Sequence, residues 1–318
     1  MKLTTIQCYY VVKFNYFCFI SVKHTLMKIV HLKNKDIDYK LWDNCISKSK
    51  NQLIYAYSWY LDVVSPEWEA LVSKDYEFIM PLPVKSRYGI SYLVQPILTQ
   101  QLGIFSKHDI NENIVANFIK EIPYFSYELN LNDHNFFSKA LVLPNFVLEL
   151  NQTYTQIYSS YSKNTQRNIQ KASKLDLRIK ENIEKETFLS FYFSVDKHFM
   201  PPNKNILESL INKGISFDAL NIYAVYSKDN KIIAGLCCLK TSIRITYLLP
   251  VSNTEGKNSS AMFFLIDYLI QRNVGNKIIF DFEGSQIEGV ARLYISFGAK
   301  NSPYYVLKQF RPSFLIGK

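Results

Sequence analysis

The sequence predicts an α/β protein, of the α+β kind, built from two similar domains that meet near residue 150. Three observations lead there. The 318 residues suffice for two domains and a substantial core. Hydrophobic residues at 48% and charged residues at 20% give a globular rather than a disordered balance. The order of elements in the first half recurs in the second: helices, an antiparallel meander, a buried helix and one more strand. No identity repeat accompanies it. The expected layout is an extension over 1–26, a first domain over 27–150 and a second over 151–318, each a mostly antiparallel mixed sheet flanked by helices.

Residues 1–26 carry Lys2, Lys13 and Lys23 and no acidic residue, and no apolar run in them is longer than that of Tyr16–Ile20. That is too short and broken for a membrane helix, and no small-residue cleavage site follows. The segment is expected to stand outside the fold, with Met27 a natural start for the first strand. Removing it lowers the net charge from +10 to +7.

From Met27 the apolar periodicity alternates. Lys28–Leu32 reads as a strand, Ile37–Ile46 and Tyr57–Val64 as helices, the latter ended by Pro66. Trp68–Val72 and Tyr76–Val84 read as a hairpin across Ser73-Lys74-Asp75, and Ser91–Val94 as a strand. Ile110–Lys120 places Ile114, Val115, Phe118 and Ile119 on one helical face, and Tyr124–Leu131 alternates as a strand. In the second half Tyr154–Leu175 is helical in two pieces, Leu177–Lys180 is a strand, and Lys185–Phe199 and Asn205–Lys213 are helices. Asn221–Tyr226 and Lys231–Leu239 form a hairpin over the turn Lys228-Asp229-Asn230, followed by strand Ile243–Leu249. Ser260–Asn273 is apolar on most sides and therefore buried, with Gly275 as its cap. Last comes Lys277–Ala299: a short strand ending in Asp281 and Glu283, a break at Gly284-Ser285, helix Glu288–Ser296, and Phe297-Gly298 closing it. A strand, a polar loop and a helix at an open-sheet edge are where ligands often bind.

Composition narrows the function. Thirty of the 37 basic residues are lysine, whereas specific phosphate and base recognition favours the arginine fork. The charge therefore fits an anionic substrate as well as it fits nucleic acid. The five cysteines, Cys8, Cys18, Cys45, Cys237 and Cys238, form no CxxC pair and match a reduced, cytoplasmic setting. Adjacent Cys237 and Cys238 should point to opposite faces of a strand as core residues. The five histidines are scattered, so no metal is expected.

Several groups can carry chemistry. Loop residues Gly256, Lys257, Asn258, Ser259 and Ser260 precede a helix whose N-terminal amides can hold a phosphate; a solvated loop with Ser259 as N-cap accounts for them equally. Lys163, Arg167, Lys171 and Lys174 make one basic helical face, which binds substrate phosphates only if it borders the cleft. Asp281 and Glu283, two apart, are expected on the same face of the strand end, where either could take a proton from an attacking amine. Tyr294 is by default a core aromatic that becomes a candidate acid if it faces the cleft. The run Tyr55, Tyr57, Trp59, Tyr60 and Trp68 lines either a groove or, better, the core. No serine–histidine–acid set, dinucleotide fingerprint or kinase motif is present.

These residues carry a resemblance. Ala291–Ala299, ARLYISFGA, resembles the A-x-x-L-Y-x-x-x-G helix of GNAT acyltransferases and more closely the F-x-x-S-F-G-A ending of FemAB-like transferases, which hold two GNAT-like domains in one chain. Asp281–Ser285, DFEGS, looks like their D-F-x-G-S strand end, and Ser162–Leu175 is similar to their basic second-domain helix. Glu255-Gly256-Lys257 with Ser260-Ala261 looks like a degraded GNAT pyrophosphate loop in which Asn258-Ser259 replace the glycine pair. The resemblance implies transfer of an acyl or aminoacyl group to an amine, with acyl-CoA or aminoacyl-tRNA as donor. It places Tyr294 where many GNAT enzymes keep the tyrosine that protonates the departing thiolate, and Arg167 and Lys171 where phosphates are held. The expected reaction is direct amine attack on a thioester or ester carbonyl, with Glu283 or Asp281 as base and Tyr294 as acid. The rival expectation is a non-catalytic binding protein that kept the fold. Acceptor and oligomeric state stay open.

Overall fold

The computed structural model describes residues 27–196 and 202–310. The expectations for residues 1–26, and for 197–199 of the helix expected to reach Phe199, lie outside the described residues; within them that helix ends earlier than expected, at Ser194, where Val195 turns extended.

The first half opens with strand β1 (Ile29–Leu32) and helix α1 (Tyr39–Lys48). Helix α1 starts two residues later than expected because Asp38 caps it, accepting from the amides of Lys40 and Leu41. After helix α2 (Ser58–Val64), strands β2 (Glu69–Ser73) and β3 (Ile79–Leu82) pair antiparallel and complete a three-stranded sheet in the order β1-β2-β3. The strand expected through Val84 is cut at Pro83, which has no amide N–H to extend the ladder, and Val84 instead begins β4 (Val84–Arg87) in another sheet. Strand β5 (Ile90–Val94), helix α3 (Glu112–Lys120), and strands β6 (Tyr127–Leu131), β7 (Leu141–Leu143) and β8 (Phe146–Glu149) follow.

The second half begins with α4 (Tyr154–Ser160), opened by a Thr153–Gln156 capping box, and α5 (Lys163–Ser173), N-capped by Ser162. Strand β9 (Arg178–Glu181), helices α6 (Lys185–Ser194) and α7 (Lys204–Ser216), and the meander β10 (Leu220–Tyr226), β11 (Ile232–Lys240) and β12 (Arg244–Ser252) come next. A short helix α8 (Thr254–Asn258) leads into α9 (Ala261–Asn273), then β13 (Ile279–Asp281), α10 (Glu288–Ser296), β14 (Lys300–Asn301) and β15 (Tyr304–Gln309).

Each large sheet is mixed and mostly antiparallel, as the sequence predicts. The five-stranded sheet runs β4-β5-β6-β15-β7 and the seven-stranded sheet β14-β8-β13-β12-β11-β10-β9. Each contains one parallel pair, β5 with β6 and β12 with β13. Sheet membership does not follow the chain in two blocks. Strand β8 sits between β13 and β14, and the last strand, β15, returns between β6 and β7. Strands β7, β8, β14 and β15 escape sequence reading for different reasons: Leu141 and Val142 of β7 are exposed, β14 is two residues long, and β8 and β15 bury their apolar residues in sheets built mostly from strands far away in the chain.

One core is shared by the two halves. Trp42, Tyr60 and Trp68 of the first half belong to the same cluster as Leu207, Leu210 and Cys237 of the second. Cys238 faces a separate core with α9 and α10, so the two cysteines do lie on opposite faces of β11. A third cluster joins α3 to the five-stranded sheet through Val115, Phe118 and Leu129.

Candidate active site

Strands β12 and β13 touch over only three registered pairs, Arg244 with Ile279, Ile245 with Phe280 and Thr246 with Asp281. Past Thr246, β12 continues to Ser252 against β11 alone, with a bulge that takes Leu248 out of register between Cys237 and Cys238. The two parallel strands therefore part at Asp281, and a parting of this kind opens the crevice at strand C-terminal ends where ligands bind.

Just past that point the backbone turns sharply. Glu283 has φ +62°, a left-handed conformation costly for a residue with a Cβ. The expectation that Asp281 and Glu283 share a strand face is thus corrected: β13 ends at Asp281, and the turn sends the two side chains to different partners. Gly284 is required next, since a Cβ there would lie 2.2 Å from the Pro144 carbonyl oxygen and 2.8 Å from Nε2 of Gln100.

Asp281 is 1% exposed, and both its oxygens are taken. Oδ2 lies 2.5 Å from Nη1 of Arg244, while Oδ1 accepts from Asn145 Nδ2 at 3.1 Å and from the Glu283 amide at 2.9 Å. Glu283 behaves differently. Its Oε1 accepts a hydrogen bond from the phenol of Tyr55, and its Oε2 takes none among the described residues. Burial pushes its carboxyl up to about 8, the Tyr55 hydrogen bond partly opposing and the Asp281 charge adding to the shift.

Tyr294 lies on α10 at 7% exposure, its ring stacked on Phe282 at 5.0 Å and edge-on to Tyr247 at 6.0 Å. Burial, and then the charges of Glu283 and Asp281, hold its phenol above the usual range, so it stays protonated at neutral pH. The three residues expected at the strand end and the following helix are therefore brought together.

The second group sits along α5. Lys171 Nζ donates to the Asn258 carbonyl at 2.7 Å and Ser260 Oγ to Asn168 Oδ1 at 3.0 Å, tying the basic helix to the segment before α9. At its other end α5 meets α10, where Thr165 Oγ1 donates to Ser296 Oγ at 2.7 Å. One helix wall thus connects the Tyr294 helix to the phosphate-loop candidates. The loop itself differs from expectation: Thr254–Asn258 is a helical turn in which the Gly256 amide donates to Oδ1 of the Asn253 cap at 2.8 Å. Gly256 is pressed against β11, its would-be Cβ 2.0 Å from the Ile233 carbonyl oxygen. Ser259 turns its hydroxyl back to the Glu255 carbonyl at 2.8 Å, and Ser260, at φ +57°, rather than Ser259 is the N-cap residue of α9. Lys257 and Arg167 are exposed; Arg167 Nε donates to the Lys163 carbonyl at 3.3 Å.

Sequence reasoning missed Arg244 and Asn145, whose side chains hold Asp281. It weighed Tyr55 mainly as core, and Tyr55 is indeed 1% exposed, but its hydroxyl meets Glu283 from 228 residues away. Of the same aromatic run, Tyr60 and Trp68 are core, while Tyr57 and Trp59 line a 440 Å³ cavity with Phe217 and Lys240. Neither that cavity nor the 740 Å³ one between α2 and α7 is lined by Glu283 or Tyr294. Among the described residues no cluster of histidine, cysteine and acidic side chains could hold a metal ion, and no helix is long and apolar enough to cross a membrane.

No protein-family model matches the chain, and no curated protein matches it by sequence. In three dimensions it is similar to FemX, with a TM-score of 0.63 at 10% identity over 89% of this chain and 97% of that one. It is similar to a conserved protein of unknown function from Bacteroides thetaiotaomicron, with a TM-score of 0.55 at 11% identity over 90% of this chain and 100% of that one. L-PGS from Bacillus licheniformis gives a TM-score of 0.53 at 11% identity over 87% of this chain and 93% of that one. At such identities the likeness establishes fold.

Proposed function

From a FemAB-like fold of two tandem GNAT-type domains, shared with FemX over nearly the whole chain, we propose that the protein transfers an acyl or aminoacyl group to an amine. The observation that carries this is Glu283, a carboxyl raised to about 8 beside a protonated Tyr294 where β12 and β13 part. A base near neutrality and a phenolic acid at the parting of two parallel strands suit amine acylation.

In the proposed reaction the acceptor nitrogen attacks the donor carbonyl carbon, forming the N–C bond, and Glu283 takes the amine proton. Backbone N–H groups on the unpaired edge of β12 beyond Thr246 stabilise the oxyanion. As the carbonyl re-forms, the C–S or C–O bond breaks and Tyr294 gives its proton to the leaving group. Asp281, with both oxygens engaged, is a positioning residue that holds the Glu283 backbone. Lys171, Arg167 and Lys257, with Asn258, Ser259, Ser260 and the first-turn amides of α9, hold donor phosphates; Gly256 contributes close packing rather than its amide, which the cap consumes. These residues suit the phosphates of acyl-CoA and of aminoacyl-tRNA alike, with acyl-CoA the simpler fit. The charge of +10 supports an anionic acceptor, a nucleotide- or lipid-linked cell-envelope precursor, modified in the cytoplasm.

Calorimetry with acetyl-CoA, longer acyl-CoAs and charged tRNA tests the reading. Binding of one donor, followed by transfer to an amine that Glu283→Gln abolishes, supports it. The loss of the Gly256 amide to the Asn253 cap favours a second reading, a non-catalytic protein that retains the fold. Failure of every donor to bind would select that one. Affinity for nucleic acid alone, falling steeply with salt, would point to charge-driven binding.

A further inference from the structure

Glu283 lies in the second half of the chain, yet the side chain that holds it comes from the first. We propose that Tyr55 is a positioning residue that pins Oε1 of Glu283 and so leaves Oε2 as the proton-accepting atom of the second-half site. The role as base rests on the acyltransfer reading above; the contact does not.

The phenol cannot easily move away. Tyr55 lies in the 3-10 turn Ile54–Ala56, and its ring packs edge-on to Tyr60 at 5.6 Å. The turn is anchored on both sides: Trp42 Nε1 donates to the Ala56 carbonyl at 2.8 Å and Gln52 Nε2 to the Tyr57 hydroxyl at 2.8 Å. Glu283 is equally constrained, its backbone left-handed, its amide on Asp281, and Gly284 packed between Pro144 and Gln100. With both ends fixed, the hydrogen bond selects one carboxylate oxygen and one rotamer. Oε2, which takes no hydrogen bond among the described residues, is left for substrate.

The titratable groups around Glu283 come from several elements. They are Tyr55, Tyr60 on α2, Asp281 on β13 with its partner Arg244 on β12, Tyr294 on α10 and Tyr304 on β15. Arg244 is committed to Asp281. Tyr55 is the one that donates a hydrogen bond to Glu283, and a donated hydrogen bond favours the carboxylate over the acid. Burial and the Glu283 charge hold the Tyr55 phenol well above its ordinary range, so it keeps its proton while Glu283 gains and loses one.

The test needs neither donor nor acceptor. In protein labelled with ¹³C at glutamate Cδ, the Glu283 resonance is assigned by its loss in Glu283→Gln, and its titration is followed in wild type and Tyr55→Phe. The wild-type midpoint is expected near 8, and Tyr55→Phe should move it upward by about one pH unit or more. An unmoved midpoint in folded Tyr55→Phe overturns the proposal. If that variant does not fold, the ¹³Cζ resonance of Tyr55 in wild type and Glu283→Gln replaces it. A shift that follows the Glu283 midpoint and vanishes in Glu283→Gln supports the proposal, and a flat one overturns it. An unmoved midpoint in an active enzyme removes Tyr55 alone, whereas a shifted midpoint without any acyl transfer removes the acyltransferase reading alone.

Discussion

Nη1 of Arg244 and Oδ2 of Asp281 lie 2.5 Å apart, a buried ion pair joining β12 to β13 where the strands separate. The carboxylate it holds anchors the Glu283 amide in turn, so this pair fixes the geometry of the candidate base.

Removing one partner of such a pair leaves an uncompensated buried charge, which costs about 3–5 kcal/mol. Arg244→Ala is therefore expected to lower unfolding stability by that amount. Asp281→Asn should cost as much or more: the carboxamide keeps a carbonyl oxygen for the Glu283 amide, but it leaves the buried Arg244 guanidinium, which cannot shed its charge, without a counter-ion. Urea denaturation of the two variants checks the order.

Glu283 gives stability an unusual slope. Its folded value of about 8 stands above the ordinary 4.5. Between those values the folded chain holds a proton that the unfolded chain has released, so stability falls as pH rises across the window, on the order of 5 kcal/mol in all. Glu283→Gln should flatten the slope. Melting curves from about pH 5 to about pH 9 compare the two. Activity should run the other way in the wild type, rising towards alkaline pH as Glu283 loses its proton.

Tyr294→Phe keeps the stack on Phe282 and loses only the hydroxyl. Turnover with a confirmed donor and acceptor should fall by about 10²-fold, with thermal stability unchanged. Full turnover in this variant would remove Tyr294 as the acid.

Gly284→Ala places a methyl group 2.2 Å from the Pro144 carbonyl. Overpacking of this kind costs about 1–3 kcal/mol, and the displacement falls on the Glu283 turn. Reduced stability together with reduced activity is expected, measured by denaturation and by initial rates.

Truncation after Ser302 removes β15 from between β6 and β7 and takes away buried Tyr304, Val306 and Leu307. Although the deletion lies at the far end of the sequence, it should unfold the five-stranded sheet of the first half. Hydrogen exchange at β6 amides would report it directly. Unchanged protection there would show that the sheet stands without β15.

Most helices and the second-half meander were legible in sequence because their signal is local. Val115 and Phe118 fall on one face of α3, and the apolar runs of β10 and β11 flank a turn of Lys228-Asp229-Asn230, so both survive a slip of a residue at either end. The DFEGS turn and the ARLYISFGA helix were likewise readable as a candidate site, and the structure does bring Asp281, Glu283 and Tyr294 together. The phosphate loop was less legible: nothing in Thr254–Asn258 announces that Asn253 will cap a helical turn and consume the Gly256 amide.

By itself, then, the sequence determined most of the helices, the second-half meander and the residues gathered at the end of β13, since periodicity and turn chemistry act over a few residues. The tertiary structure decided that β8 and β15 change places between the sheets. It also decided that Asp281 is spent on Arg244 and Asn145, and that Glu283 is held by Tyr55. Those outcomes depend on strand pairing and burial between residues far apart in the chain, and no local pattern records which distant partner will satisfy a buried polar group.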